Sequence, residues 1–314
     1  MTRGRIATIA VVVLLAFEPV LSPFIHVDVT IASAALLFAI AAMSANLLLG
    51  YTGLPPFGNA AFFGLGAYGA ALSLKYWHVE FATAAVLGTA LAVLGALVLG
   101  PFLLRRRGIY FGLLSIAFGQ VFYFIAYRFT DVTGGEDGMN FSRPFLLVPS
   151  LRLRETAFYY LALVVFVAAI LAFEAIVRSP FGKTLIAIKQ NELRVRYLGL
   201  DSNRFVFVAI VISAAFAGLS GALTGMLNNS VGPLMLDWHQ SGDFVLSTIL
   251  GGSGTIWGPL VGSIIFVVGR DIISSYTQEG WQIILGALFV ACVIFFPRGI
   301  LGTALQLFAA KRHG

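Results

Sequence analysis

Nine long apolar runs are the feature that most constrains the fold of this chain. A helix that crosses the hydrocarbon core of a bilayer needs about 20 consecutive, mostly apolar residues. Only 11% of the 314 residues are charged, whereas soluble globular domains carry about 25%. No soluble core could bury this much apolar surface, so the sequence predicts an all-α, polytopic membrane protein with a single transmembrane domain over 1–314. The candidate spans are 6–25, 29–50, 57–74, 81–104, 109–127, 157–177, 205–228, 256–273 and 281–297.

The first run also resembles a signal peptide, because a basic start, MTRGR, precedes the apolar IATIAVVVLLAF. No small-x-small cleavage site follows it, and the run instead meets Glu18, Pro19, Ser22 and Pro23. A retained first helix is therefore the favoured interpretation.

Lysine and arginine are distributed unevenly between the loops that join these runs. If the N-terminus is cytoplasmic, 14 of the 20 basic residues fall on the cytoplasmic side, and most acidic residues fall on the other. Such a bias sets the orientation of membrane proteins. It predicts cytoplasmic N- and C-termini, a basic cytoplasmic loop at 178–204 and an external loop at 128–156. The net charge of +6 therefore reflects membrane topology and does not indicate nucleic-acid binding.

The same topology requires a break near 244–258. A short apolar piece, 244–250, precedes the glycine-rich GGSGTIWGP, and the basic C-terminus returns to the cytoplasm only if the chain turns back there. We therefore expect a broken or re-entrant segment and a total of about 9–10 membrane helices. GYTGLPPFG at 50–58 is a similar break, and paired interrupted segments often mark the pathway of a transporter built from repeats. The alternative is that Gly and Pro are simply frequent in membrane helices.

The basic loop 178–204 has the pattern of folded structure. Ser179 is a good N-cap, a second helix can start at Asn191, and Gly199 suits the position after a helix C-terminus. The pattern predicts two short helices with an elbow near residues 189–191. Two interpretations remain open. The loop lies on anionic lipid, at about 1 kcal/mol per positive charge, or it docks a soluble cytoplasmic partner.

This loop, SPFGKTLIAIKQNE, resembles the EAA-type cytoplasmic loop of bacterial ABC-importer permeases, and most of all the branched-chain amino acid permeases of the LivM type. After Asn-Glu the family usually has Ala-Ala, whereas this chain has LRVR at 193–196. Other stretches similar to the family are 46–72, 107–135, 250–262 and FFPRGILG at 295–302. In the first of these, Pro56 and Asn59 replace the more usual Ser and His.

The resemblance implies a permease subunit of an importer, located in the bacterial inner membrane. Its implied partners are a second, LivH-like permease, two cytoplasmic ATPases, a periplasmic substrate-binding protein and membrane lipid. The ATPases would use ATP and Mg²⁺, and this chain would bind no cofactor. Leucine, isoleucine and valine are the implied solutes, with urea, short amides or other amino acids as alternatives. The residues implied to couple to the ATPases, with Glu192 at the contact itself, are Ser179, Phe181, Gly182, Lys189, Asn191, Glu192, Arg194 and Gly199.

The sequence carries no recognisable catalytic or metal-binding chemistry. GLGAYG at 64–69 fits a dinucleotide-binding pattern, but it lies in an apolar span, where close helix packing is the better interpretation. A stand-alone, ion-coupled secondary carrier usually has ionisable residues within its spans. Here Glu18, Glu174 and Arg270 all lie near span ends, which favours an ATP-driven partner.

Neutral polar side chains in the spans are left as candidates for a solute pathway, with hydrogen bonding between helices as the alternative for each. Such a set suits a zwitterionic or uncharged solute. The candidates are Asn46, Tyr51, Thr52, Asn59, Tyr110, Ser115, Gln120, Thr224, Asn228 and Asn229.

Overall fold

The structure is a computed structural model, and it describes residues 28–141, 155–276, 280–295 and 299–303. The predicted span at 6–25 and most of the second half of the predicted external loop lie outside these residues. Helices dominate the part described, as predicted. The elements, in chain order, are Val29–Asn46 (α1) with a π-helical extension Leu47–Thr52, Asn59–Trp77 (α2), Phe81–Leu103 (α3), Ile109–Arg128 (α4), Thr130–Thr133 (α5), the 3₁₀ turn Gly135–Asp137, Met139–Asn140 (β1), Glu155–Arg178 (α6), Pro180–Tyr197 (α7), Ser202–Asn228 (α8), Ser230–Val231 (β2), the 3₁₀ turn Pro233–Leu236, Trp238–Gly251 (α9), Gly258–Tyr276 (α10) and Trp281–Phe295 (α11).

Six of these helices are long and apolar enough to cross a membrane, counting only the described residues. They are α1 with its π-helical extension, α3, α4, α6, α8 and α10. Helix α2 coincides with the predicted span at 57–74, but it is buried within the protein along most of its length. A helix surrounded by protein does not need an apolar surface for lipid, which is why α2 can be rich in glycine and alanine.

The centre of the molecule is formed by α1, α2, α3 and α8, which pack closely because glycine lets their backbones approach. A Cβ atom on Gly69 of α2 would lie 2.9 Å from the Cα of Gly88 in α3. One turn earlier in α2, Gly66 lies against the backbone of Gly218 in α8. The glycines of GLGAYG are therefore packing residues, which confirms that interpretation.

The break predicted near 244–258 is present. Helix α9 ends at Gly251, six irregular residues follow, and α10 begins at Gly258. The two helices pack against each other as a hairpin, with the hydroxyls of Ser247 and Ser263 3.0 Å apart. Helix α9 has 14 residues and is therefore about 21 Å long, shorter than the roughly 30 Å hydrocarbon core of a bilayer. The chain thus reverses its direction inside the protein.

The one departure from an all-α fold in the described residues is a two-stranded antiparallel sheet. Met139 pairs with Val231, and Asn140 pairs with Ser230. The pairing joins the beginning of the predicted external loop to the end of α8. Two residues per strand are too few for the alternating pattern that identifies strands in a sequence.

Candidate functional site: the basic elbow and the two helix breaks

The basic loop folds as two short helices that meet at a kink, as predicted. The hydroxyl of Ser179 accepts a hydrogen bond from the Gly182 amide at 3.3 Å and caps the first helix. Asn191 has φ −160° and ψ 97°, and its side chain accepts from the Arg194 amide at 3.0 Å. Asn191 is therefore the N-cap of the second helix. Gly199 ends that helix with φ +82°, a conformation that favours glycine.

One face of this elbow, defined as residues 179–199, is anchored in the protein core. Leu185, Ile188 and Val195 are buried, so these apolar side chains face inward. The ring of Phe181 stacks on Phe205 of α8, with centroids 5.9 Å apart. Gly182 lies against the backbone of α6 near Val177, where a side chain would clash. These contacts hold the elbow to α6 and α8, the two spans on either side of it.

The carboxylate of Glu192 is bound by three side chains of this protein. It forms ion pairs with Arg107 at 3.2 Å and Arg196 at 2.8 Å, and it accepts from the Ser202 hydroxyl at 2.7 Å. Arg107 also donates to the side chain of Asn203 at 2.6 Å. The structure therefore places Glu192, with its side chain 24% exposed, in a brace between the elbow, the loop after α3 and the start of α8.

The environment of Glu192 favours its charged form. Burial by itself would raise the pKa of the carboxyl group. Hydrogen bonds from Ser202 and Arg107, the positive charge of Arg107 and a hydrogen bond from Arg196 together outweigh burial, and the pKa is lowered. Glu192 is therefore ionised at neutral pH.

The outer face of the elbow carries exposed apolar and basic side chains together. Leu193, Tyr197 and Leu198 are 65%, 89% and 75% exposed. Arg194 is exposed beside them. Of the residues 193–196, which depart from the usual family sequence, Leu193 and Arg194 lie on this outer face, whereas Val195 is buried and Arg196 pairs with Glu192.

Lys189 contacts the first helix break. Its ammonium group donates to the carbonyl of Gly50, in the π-helical turn that ends α1, at 2.7 Å. The elbow is therefore attached to a membrane-spanning helix at a point where the backbone is irregular.

Asn46 joins the first break to the second. Its side-chain nitrogen donates to the carbonyl of Thr255, and its side-chain oxygen accepts from the Gly254 amide, each at 2.8 Å. The breaks at 50–58 and 251–259, noticed as similar stretches of sequence, are thus in direct contact. The side-chain nitrogen and the side-chain oxygen of Asn46 both form hydrogen bonds in this contact, so Asn46 holds the second break against the end of α1.

Asn59 lies at the centre of the protein in a buried polar group. Its side chain donates to Ser44 at 2.6 Å and accepts from Ser213 at 3.2 Å, which ties α2 to α1 and α8. Asn59 and Ser115 also face one cavity that is otherwise largely apolar. The other residues lining this cavity are Leu48, Pro56, Gly58, Ala61, Phe62, Leu99, Leu103, Phe111, Phe118, Gly119 and Ile210.

The remaining pathway candidates are dispersed. Tyr110 is exposed at the beginning of α4, and Asn228 is exposed at the end of α8. The side chain of Gln120 lies 3.5 Å from Asp237. Tyr51 packs edge-on against Phe173, Thr52 donates to Leu47, Thr224 donates to Ser220, and Asn229 has a positive φ of 55°. Of the predicted set, Asn59 and Ser115 line the same cavity.

Sequence reasoning missed the partners of the predicted residues. Arg107 was counted only among the basic residues that indicate the topology, because nothing in its local sequence points to a partner 85 residues later. Ser44, Ser202 and Ser213 gave no signal, because single serines are common in membrane helices. No cluster of His, Cys, Asp and Glu that could hold a metal ion occurs in the described part of the chain.

Comparison with known proteins identifies the family. The family described as "Branched-chain amino acid transport system / permease component" matches residues 29–293. The branched-chain amino acid permease LivM of Escherichia coli K12 is 27% identical over 296 residues, which are 87% of this chain and 69% of that protein. LivM of Salmonella typhimurium is also 27% identical, over 87% of this chain and 70% of that protein. The permease LivH of Escherichia coli K12 is 26% identical over 136 residues, which are 43% of this chain and 44% of that protein. No solved structure matches. The match over 29–293 shows that this chain belongs to the branched-chain amino acid permease family of ABC transport systems.

Proposed function

We propose that this chain is one membrane-spanning permease subunit of an ABC importer that moves leucine, isoleucine and valine across the bacterial inner membrane. The observation that carries the proposal is the family match along 29–293, which includes the elbow and both helix breaks. The chain itself is a transport subunit and not an enzyme. Its proposed topology has cytoplasmic N- and C-termini, as the distribution of lysine and arginine predicts.

The proposed assembly contains this chain, a second LivH-like permease, two cytoplasmic ATPases and a periplasmic substrate-binding protein. Similarity of this chain to both LivM and LivH supports a pair of related permeases. In this assembly ATP and Mg²⁺ are bound by the ATPases, and the bilayer lipid surrounds the spans.

The elbow is the proposed contact with the ATPases. Its outer face combines Leu193, Tyr197 and Leu198 with the positive charge of Arg194, and its inner face is anchored to two spans. A docking surface of this kind buries apolar area against the partner, and its charged side chains fix how the two proteins are aligned. When ATP closes the ATPases, the elbow transmits their motion to the spans as a rigid body. The brace around Glu192 holds the elbow in place, and the exposed part of its side chain, 24%, keeps Glu192 in the proposed contact with the ATPases as well.

The proposed solutes follow from the family, because the family and the relatives that match this chain are named for branched-chain amino acids. The cavity beside Asn59 is lined mainly by aliphatic and aromatic side chains, but its free space is about that of one water molecule. The side chains of Asn59 and Ser115 are already hydrogen-bonded within the protein. The cavity in this structure therefore has no room for an amino acid, and the uptake assay decides between leucine, urea, short amides and other amino acids.

The first test is gentle affinity purification of the tagged chain from its native membrane, with mass spectrometry of the recovered proteins. The proposal predicts recovery of a second permease and of ATPase subunits. Reconstituted with its binding protein, the complex should take up leucine and not urea in an ATP-dependent manner. Recovery of the chain alone, with uptake driven by an ion gradient, would replace the proposal with a secondary carrier.

The docking face can be tested separately with Arg194→Glu. Arg194 is exposed, so its charge reversal should leave insertion and yield unchanged while ATPase subunits are lost during purification. Lys183→Glu, in the first half of the elbow, is the matched control. Wild-type recovery of the ATPases with Arg194→Glu would remove this face from the contact.

A further inference from the structure

Lys189 caps the end of a membrane-spanning helix from outside that helix. Its ammonium group donates to the Gly50 carbonyl at 2.7 Å, near the end of the span Val29–Thr52. The last carbonyls of a helix lack partners within the helix, and they form the negative end of its dipole. A lysine side chain at this position donates a hydrogen bond to such a carbonyl, and its positive charge interacts favourably with the negative end of the dipole. The segment caps its own Leu48 carbonyl with the amides of Gly53 and Leu54, and the elbow supplies the partner of the Gly50 carbonyl.

Glycine makes this contact geometrically possible. Gly53 has φ +78°, and a Cβ on it would lie 2.9 Å from the Cγ of Lys189. The lysine side chain thus passes over a position where any side chain would obstruct it. Gly53 serves two purposes, because it turns the chain out of the π-helical turn and leaves room for Lys189.

The opposite side of the same turn contacts the second break. A Cβ on Gly50 would lie 2.5 Å from the amide nitrogen of Gly254, so the two backbones touch. Asn46, about one turn earlier, holds Gly254 and Thr255 through two hydrogen bonds of 2.8 Å. Gly50 therefore lies between the elbow on one side and the second break on the other.

There is space beside this contact for the elbow to move. A polar cavity separates the elbow from the first break, and its walls include Thr52, Gly53, Arg107, Lys189 and Glu192. Water in such a cavity can bond the polar groups that a small displacement of the elbow would expose. The Lys189 contact can therefore shift or break without leaving a charge unsolvated.

We infer that Lys189 is a positioning residue that connects the cytoplasmic elbow to both helix breaks. The connection runs from Lys189 to the Gly50 carbonyl, and from Gly50 and Asn46 to the turn at Gly254 and Thr255. A displacement of the elbow either carries Gly50 with it or releases its carbonyl, and both change the contact with the second break. The role in transport rests on the proposed function, whereas the connection is a property of this chain alone.

The connection is tested on the purified chain by hydrogen–deuterium exchange of the backbone amides in 47–54 and 252–257. Lys189→Met removes the ammonium group and should speed exchange in both segments about tenfold, the size expected for losing one hydrogen bond to a charged group. Lys189→Arg keeps a cation and should restore part of the protection. Lys183→Met, an exposed lysine of the same helix, should leave both segments unchanged. If Lys189→Met lowers the yield of folded protein, Lys189→Gln serves in its place.

Exchange in 252–257 that is the same in Lys189→Met and wild type would overturn the inference, because the second break would then be independent of the elbow. In the reconstituted complex, Lys189→Met should keep ATP hydrolysis and lower the solute moved per ATP at least threefold. Equal losses of ATP hydrolysis and uptake would show that Lys189 has only a structural role, and this result would also overturn the inference. Failure to recover any ATPase would refute the proposed function instead, and the exchange result would still decide whether the connection exists.

Discussion

Replacing Glu192 with glutamine tests whether the brace keeps the elbow in place. Glutamine has nearly the same shape and can still accept from Ser202, but it loses the charge that attracts Arg107 and Arg196. A hydrogen bond to a charged group contributes about 1.5–3 kcal/mol. The pair with Arg196, whose side chain is about half exposed, adds only about 0.3–0.5 kcal/mol. We therefore expect Glu192→Gln to lower the free energy of unfolding by about 2 kcal/mol at neutral pH.

The loss should depend on pH in a defined direction. The pKa of Glu192 is lowered in the folded protein, so its charge stabilises the fold above the pKa of the unfolded chain, about 4.3. That contribution disappears as the pH falls through the folded-state pKa, where the wild-type carboxyl group becomes neutral like the amide. The difference between wild type and Glu192→Gln should therefore be full at pH 7 and should shrink below about pH 4.

The assay is thermal unfolding of the detergent-purified chain across this pH range. At about 2–4 °C per kcal/mol, the midpoint at pH 7 should fall by roughly 4 °C. Glu174→Gln is the matched control, because Glu174 pairs with the largely exposed Arg178 one helical turn away, and such pairs contribute about 0.3–0.5 kcal/mol. Equal losses in the two variants, or a Glu192→Gln difference that persists at low pH, would refute the reasoning.

Three further substitutions address the elbow, the breaks and the cavity. Gly199→Pro should uncouple ATP hydrolysis from uptake while the protein still inserts, because proline cannot adopt the φ of +82° found at this position. Gly199→Asn tolerates that conformation and should retain coupling, and wild-type uptake by the proline variant would contradict the prediction. Gly50→Ala should lower the free energy of unfolding by about 1–3 kcal/mol, because the added Cβ would lie 2.5 Å from the Gly254 amide nitrogen. An unchanged midpoint of thermal unfolding would show that the two breaks are not packed together. At matched expression, Asn59→Ala should lower leucine uptake more than Gln120→Ala does. Asn59 is buried beside the cavity, whereas Gln120 makes only a long contact of 3.5 Å with Asp237. Equal uptake by the two variants would remove Asn59 from the pathway.

Much of the local structure was predictable, because local backbone chemistry decides it. Ser179, Asn191 and Gly199 marked the two caps and the end of the elbow, and each residue has that role in the structure. The glycine-rich stretch after residue 250 marked the break between α9 and α10. In each case the preference of one residue for a cap or a left-handed turn is strong enough to be seen without its surroundings.

The candidate site was less predictable, because its residues act through distant partners. Glu192 was expected at an outer contact, and Asn46 was expected along a pathway. Both expectations stay predictions, and the structure adds what the sequence did not show: Glu192 has a partner 85 residues earlier, and Asn46 has a partner 209 residues later. A polar residue in a loop or a span has the same local signature whether it contacts a solute, a partner protein or its own chain.

By itself, the sequence determined the class of protein, the positions of its main helices and the two breaks, because apolar length and glycine–proline chemistry are local and strong. Only the tertiary structure decided that the two breaks touch, and that the ammonium group of Lys189, an exposed residue, reaches the first of them. These contacts depend on the close approach of the Gly50 and Gly254 backbones and on the room that Gly53 leaves for the Lys189 side chain, and both follow from the packing of whole helices. Packing is the sum of many weak contacts across the chain, and no single stretch of sequence contains it.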